Sequence, residues 1–86
     1  MESGEKMETL IYLLEKKKHK VIYRFGTDAI DGIMEIDLED TNNSKIVKMP
    51  SDGKLSSRVA YNAFGWILHL VVKGDIPEKM DYVDGS

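Results

Sequence analysis

Three carboxylates recur at every second position along one short segment of the chain. They are Glu35, Asp37 and Glu39. Because apolar residues alternate with them, the segment Gly32–Glu39 is predicted to be a strand with its acids on one face. Carboxylate oxygens are ligands that hard divalent cations prefer. Counted from Asp37, however, a calcium-binding loop would need glycine where Asn42 stands and glutamate where Lys48 stands. We therefore interpret the acids as a solvated face balanced by lysines of the neighbouring strands, and predict no metal site.

A basic run is the second group of residues that could do chemistry. It holds four lysines around His19: Lys16, Lys17, Lys18 and Lys20. Such a run can contact phosphates or an acidic partner, and a nucleic-acid-associated accessory protein that uses it is the alternative function. Structurally, the run is predicted to end a helix, because the helix dipole favours cations there. A nucleic-acid surface usually has a basic excess, whereas this chain has a net charge of −3.

His69 lies on a narrow polar stripe of the last predicted helix. The stripe consists of Arg58, Asn62, Gly65, His69 and Lys73, of which the first four are the candidate site residues. A histidine can serve as a base or a metal ligand, but it needs partner groups for either role. The chain shows no Ser/His/Asp order, no glycine-rich phosphate loop and no paired-histidine spacing. We therefore predict a non-enzymatic chain without a cofactor, and take the stripe as the candidate interaction surface.

The element that must position this stripe is a helix predicted from Leu55 to Lys73. Ser51 or Asp52 is the expected start of the helix, and Gly74 is the expected stop. Its apolar side chains cover far more than the roughly 100° of surface that a helix buries against one sheet. We therefore expect this helix to be buried on more than one side.

Gly65 lies inside this helix, where glycine costs about 1 kcal/mol relative to alanine. A glycine at such a position often marks the close approach of another backbone. Two explanations are open: the N-terminal helix or the C-terminal tail crosses there, or a second subunit does. Because the apolar surface exceeds what a small sheet can cover, we predict a homodimer.

The remaining segments complete the predicted fold. Residues from Glu5 to Lys17 are predicted to form a helix, because their apolar side chains recur at helical spacing. Three strands with short links are predicted over Lys20–Phe25, Gly32–Glu39 and Lys45–Met49. The tail after Pro77 is either a helical turn or a short edge strand. The expected fold is α+β with the order α-β-β-β-α, a three-stranded antiparallel meander with two helices packed on one face.

Length and composition limit the classes of function. Residues 1–86 are expected to form one small domain, with 1–4 and 84–86 disordered. The chain has no cysteine, which excludes a disulfide framework and suits the cytoplasm. No apolar run approaches the ~18–20 residues of a membrane span. The leading hypothesis is a small soluble non-enzymatic interaction or regulatory protein that binds a protein partner or itself. A small-ligand-binding module ranks third, after the nucleic-acid alternative.

Overall fold

The computed structural model describes residues 7–84 as five strands, one α-helix and a short 3-10 turn. The elements, in chain order, are β1 Met7–Lys16, β2 Lys20–Gly26, β3 Gly32–Asp37, the 3-10 turn Thr41–Asn43, β4 Lys45–Lys48, α1 Ser57–Val72 and β5 Lys79–Asp84. The strands form a single antiparallel sheet with the order β4-β3-β2-β1-β5. The first four strands follow one another along the sheet as hairpins, and α1 then carries the chain from one edge of the sheet to the other.

The crossing of α1 explains where the core lies. The helix contacts β1, β3 and β5, so it lies across one face of the sheet. On β2, the three alternate residues that face α1 are fully buried: Val21, Tyr23 and Phe25. On α1, the side that faces the sheet includes Ala60 and Ala63, whose small side chains let the helix backbone approach the strands closely. The buried apolar side chains form one continuous cluster between helix and sheet.

Local capping fixes both ends of α1. Ser56 is the N-cap, and its hydroxyl oxygen accepts a hydrogen bond from the N–H of Val59 at 3.2 Å. At the other end Gly74 has a φ of +92°, a left-handed conformation that glycine adopts without a Cβ penalty. The predicted stop at Gly74 is therefore confirmed, whereas the predicted start at Ser51 or Asp52 is wrong.

A buried tyrosine ties the α1–β5 connection to the middle of the sheet. The Tyr23 hydroxyl donates a hydrogen bond to the carbonyl oxygen of Pro77 at 2.8 Å. Burial, with a smaller contribution from the charge of Asp75, raises the pKa of Tyr23 to about 12, so the hydroxyl keeps its proton. This bond places Pro77 directly before β5 and so helps to bring β5 alongside β1.

The predicted N-terminal helix is wrong, because the segment forms strand β1. β1 lies between β2 and β5 and pairs with both, so its backbone groups are satisfied on two sides. Its central segment is a continuous apolar run, LIYLL, which fits a helical pattern as well as a strand. The hydrogen bonds and packing that β1 gains by pairing with β2 and β5 stabilise the strand by more than its weak local preference for helix disfavours it.

The predicted order α-β-β-β-α and the three-stranded sheet with two helices are therefore wrong. The protein is α+β in the broad sense, with five strands and one helix within residues 7–84. Strands do occur at the three predicted places, as β2, β3 and β4. The tail forms edge strand β5 and not a helical turn. Residues 1–4 and 85–86, which were expected to be disordered, lie outside the described residues, and Asp84 is the last residue of β5.

Candidate functional site

The side of α1 that points away from the sheet is the surface we call the α1 outer face. Its members are exposed and comprise Arg58, Tyr61, Asn62, Gly65, Trp66, His69 and Val72. The four residues proposed from the sequence are among them: Arg58, Asn62, Gly65 and His69. They follow one another three or four positions apart, so the helix brings them into one stripe. The α1 outer face is opposite the side that Ala63 and Ile67 bury against the sheet.

Apolar and aromatic side chains flank this stripe in solvent. Tyr61 is 58% exposed, Trp66 46% and Val72 62%. The Trp66 ring lies 5.9 Å from the His69 ring, tilted by 30° between the planes. The prediction of a helix buried on more than one side gave no reason to expect Trp66 and Tyr61 at the surface, and so missed them. The narrowness of the polar stripe was the one signal that α1 carries more apolar surface than a single sheet can bury.

Gly65 sits at the middle of the α1 outer face. Among residues 7–84, a Cβ atom added at Gly65 would meet no heavy atom within 4 Å outside its immediate neighbours and its own helix backbone. The explanation that the N-terminal segment or the tail crosses the helix there is therefore wrong for the described residues. The glycine costs helix stability without serving a contact within the described chain.

The formal charges of α1 and of its C-cap have one sign. The segment Ser57–Lys73 contains two formally charged residues, Arg58 on the α1 outer face and Lys73 at the C-cap, and both are basic. His69 lies in the last turn of the helix. The chain as a whole is acidic, with a net charge of −3, so this helix differs in sign from the rest of the molecule.

The basic run lies at the tip of the β1–β2 hairpin and not at a helix end. Its residues are exposed: Lys16, Lys17, Lys18, His19 and Lys20. Two carboxylates already contact it. Glu39 lies 2.6 Å from the Nδ1 atom of His19, and Glu35 lies 3.3 Å from the Nζ atom of Lys20. These contacts reduce the positive potential that a phosphate would meet at the hairpin tip.

The acidic residues around β3 are engaged in structure. Glu35 lies on the sheet face away from α1 and pairs with Lys20, in line with the interpretation of a solvated, balanced face. The Asp37 carboxylate accepts hydrogen bonds from the N–H groups of Asp40 and Glu39, at 3.0 and 2.9 Å. Those bonds hold the pKa of Asp37 below its ordinary value. Glu39 lies beyond the end of β3, so the three acids do not share one strand face.

Two other aspartates tie the loops that lead into α1. The Asp31 carboxylate accepts a hydrogen bond from the N–H of Ser51 at 2.9 Å, and Asp52 accepts one from the N–H of Ala29 at 3.0 Å. Hydrogen bonds lower the pKa of both carboxyl groups, for Asp31 chiefly those from Ser51 and for Asp52 chiefly those from the Lys54 and Ala29 backbones. They join the β2–β3 loop to the β4–α1 loop and so fix where α1 begins.

Across residues 7–84 no group of three or more His, Asp or Glu side chains is placed to hold a metal ion, and no pocket is present. The described part of the chain also has no helix long and apolar enough to cross a membrane. No family model, curated protein or solved structure matches this chain. The candidate site therefore rests on the geometry of α1.

Proposed function

We propose that this protein is a small non-enzymatic interaction or regulatory protein that binds a partner protein through the α1 outer face. The observation that carries the proposal is the exposure of Tyr61, Trp66 and Val72 on one helix, at whose centre Gly65 faces no other residue that the structure describes. Aromatic residues are enriched in the energetically dominant parts of protein interfaces. A glycine on the exposed side of a helix lets a second backbone approach closely.

The charge of α1 indicates the chemistry of the partner. With only basic formal charges in residues 57–73, the α1 outer face suits a segment that presents apolar side chains flanked by carboxylates. A second copy of α1 is a poorer match, since two such helices would bring like charges together. For the same reason the predicted homodimer is not assigned to this face.

The basic run at the tip of the β1–β2 hairpin gives less support for nucleic-acid binding than the α1 outer face gives for protein binding. Two of its five side chains contact carboxylates, at His19 and Lys20. One short run supplies few phosphate contacts, and affinity for nucleic acid increases with the number of phosphates that a protein neutralises. The α1 outer face therefore remains the better supported binding surface.

Site-specific photocrosslinking in cells of the source organism tests the proposal. A photoreactive benzoylphenylalanine is placed at Tyr61, and in a separate protein at Val47, which is similarly exposed at 54% but lies on edge strand β4. We expect a defined adduct from position 61 that position 47 does not give. Mass spectrometry of the adduct should identify a partner segment in which acidic residues flank apolar ones.

The outcomes separate the competing explanations. Equal adducts from Tyr61 and Val47, or none from Tyr61, would overturn the assignment of the α1 outer face. An adduct that joins two copies of this chain at Tyr61 would show that the α1 outer face binds a second copy and not a different protein. An adduct with nucleic acid would contradict the proposal in favour of the alternative function.

A further inference from the structure

Strand β5 presents an unpaired edge, and hydrogen bonding shows which residues point out of it. Among the residues that the structure describes, β5 is the last strand of the sheet and pairs only with β1. Just before the strand, the carbonyl oxygen of Glu78 accepts a hydrogen bond from the N–H of Leu13 on β1 at 2.8 Å. Because backbone groups alternate in direction along a strand, Lys79, Asp81 and Val83 direct their N–H and C=O groups away from β1. These groups are a template for another strand.

Two side chains of opposite charge, Lys79 and Asp81, lie along this edge of β5. Lys79 and Asp81 lie on the sheet face away from α1, while Met80 and Tyr82 lie on the α1 side and pack against the core. Asp81 lies diagonally across from Glu8 of β1 on the same face of the sheet, and this neighbouring carboxyl group raises the pKa of Glu8 through hydrogen bonding and charge. Within residues 8–83, no lysine or arginine forms an ion pair with either carboxylate. The pair therefore lacks a cation from the described chain.

A second copy of the strand can supply that cation in one antiparallel register. If Met80 lies opposite Met80 of a second copy, Lys79 lies opposite Asp81 in both directions, giving four backbone hydrogen bonds and two ion pairs. Shifting the register so that Asp81 faces Asp81 adds backbone bonds but brings like charges together beside Glu8, which is unfavourable. In the register centred on Tyr82, the lysine no longer faces the aspartate.

We propose that two copies of this chain pair through their β5 edges in the Met80-centred antiparallel register, forming a continuous ten-stranded sheet. The charge complementarity of Lys79 and Asp81 selects a second copy as the occupant of the edge. The two-fold axis is perpendicular to the sheet, so both α1 helices lie on the same side. The two α1 outer faces then point the same way, so the homodimer carries two copies of the proposed binding surface on one side. The β5 proposal does not depend on that function.

Charge reversal tests the pairing. Sedimentation velocity of the full chain at micromolar concentration should show a dimer. D81K places lysine opposite Lys79 and should weaken dimerisation by about tenfold or more, since two attractive cross-strand pairs become repulsive. K79D should do the same, and the double variant K79D/D81K should restore the dimer. K48D, on edge strand β4, is the control and should leave the dimer unchanged. A monomeric wild-type chain, or a double variant as weak as the single ones, would overturn the proposal.

Disulfide trapping tests the register. The chain has no cysteine, so M80C introduces a single thiol. Directly opposite residues that are not hydrogen-bonded to each other have Cα atoms about 4.5 Å apart, which lies in the range a disulfide bridges. Mild oxidation should link M80C into a covalent dimer and leave Y82C unlinked. Linkage of Y82C or D81C in place of M80C would show another register and contradict this one, and no linkage of M80C would refute the pairing.

Discussion

Replacing Ile67 by alanine is expected to lower the free energy of unfolding by about 2–5 kcal/mol, through lost burial and the cavity left behind. Ile67 is fully buried on the side of α1 that faces the sheet. The total free energy of unfolding of a small domain is about 5–15 kcal/mol, so this one change removes a large part of its stability. Urea denaturation followed by circular dichroism measures the difference.

Val72 on the opposite side of the same helix provides the matched control. It is 62% exposed, and alanine has the higher helix propensity, so V72A should change the stability by no more than about 0.5 kcal/mol. If V72A destabilised the chain as strongly as I67A, α1 would be buried on both sides. The α1 outer face would then not be a free surface of the chain.

Replacing Trp66 by alanine is expected to reduce partner binding by about 30-fold or more. Tryptophan is among the residues that dominate interfaces, and truncating such a residue costs at least about 2 kcal/mol of binding free energy. Trp66 is the only tryptophan of the chain and is half exposed, next to His69. The measurement is the yield of the adduct from benzoylphenylalanine at Tyr61, which should fall to the level given by position 47.

V47A is the control for the Trp66 experiment, because Val47 is an exposed apolar residue on another surface. It should leave the adduct yield unchanged, and circular dichroism should show that W66A remains folded. A folded W66A protein that gave the full adduct yield would contradict the role of Trp66 as the anchor of the interface.

The sequence was sufficient to locate α1 and strands β2, β3 and β4, but not strands β1 and β5. For α1, apolar periodicity and Gly74 are local signals, and local signals predict a helix well. For β1, the run LIYLL satisfies both a helical and a strand pattern. Its conformation depends on pairing with β2 and β5, which are about ten and seventy residues away in the sequence. The tail was ambiguous for the same reason, since β5 is a strand only because β1 is available beside it.

The candidate site shows the same division between local and long-range information. Arg58, Asn62, Gly65 and His69 could be placed on one stripe from helical spacing alone. The exposure of Trp66 could not be predicted, because it depends on how many elements cover α1. Once the N-terminal segment became a strand, no second helix remained among the described residues to cover that side.

The most direct test of the central claim is Gly65→Ala, measured both for stability and for the adduct from position 61. Because no other described residue lies against Gly65, alanine should raise the free energy of unfolding of the chain by about 1 kcal/mol through its higher helix propensity. The added methyl group should at the same time lower the adduct yield, because it holds the partner's backbone away from the helix. A chain that is stabilised yet gives an unchanged adduct yield would show that no partner packs against Gly65, and would contradict the assignment of the α1 outer face as the binding surface.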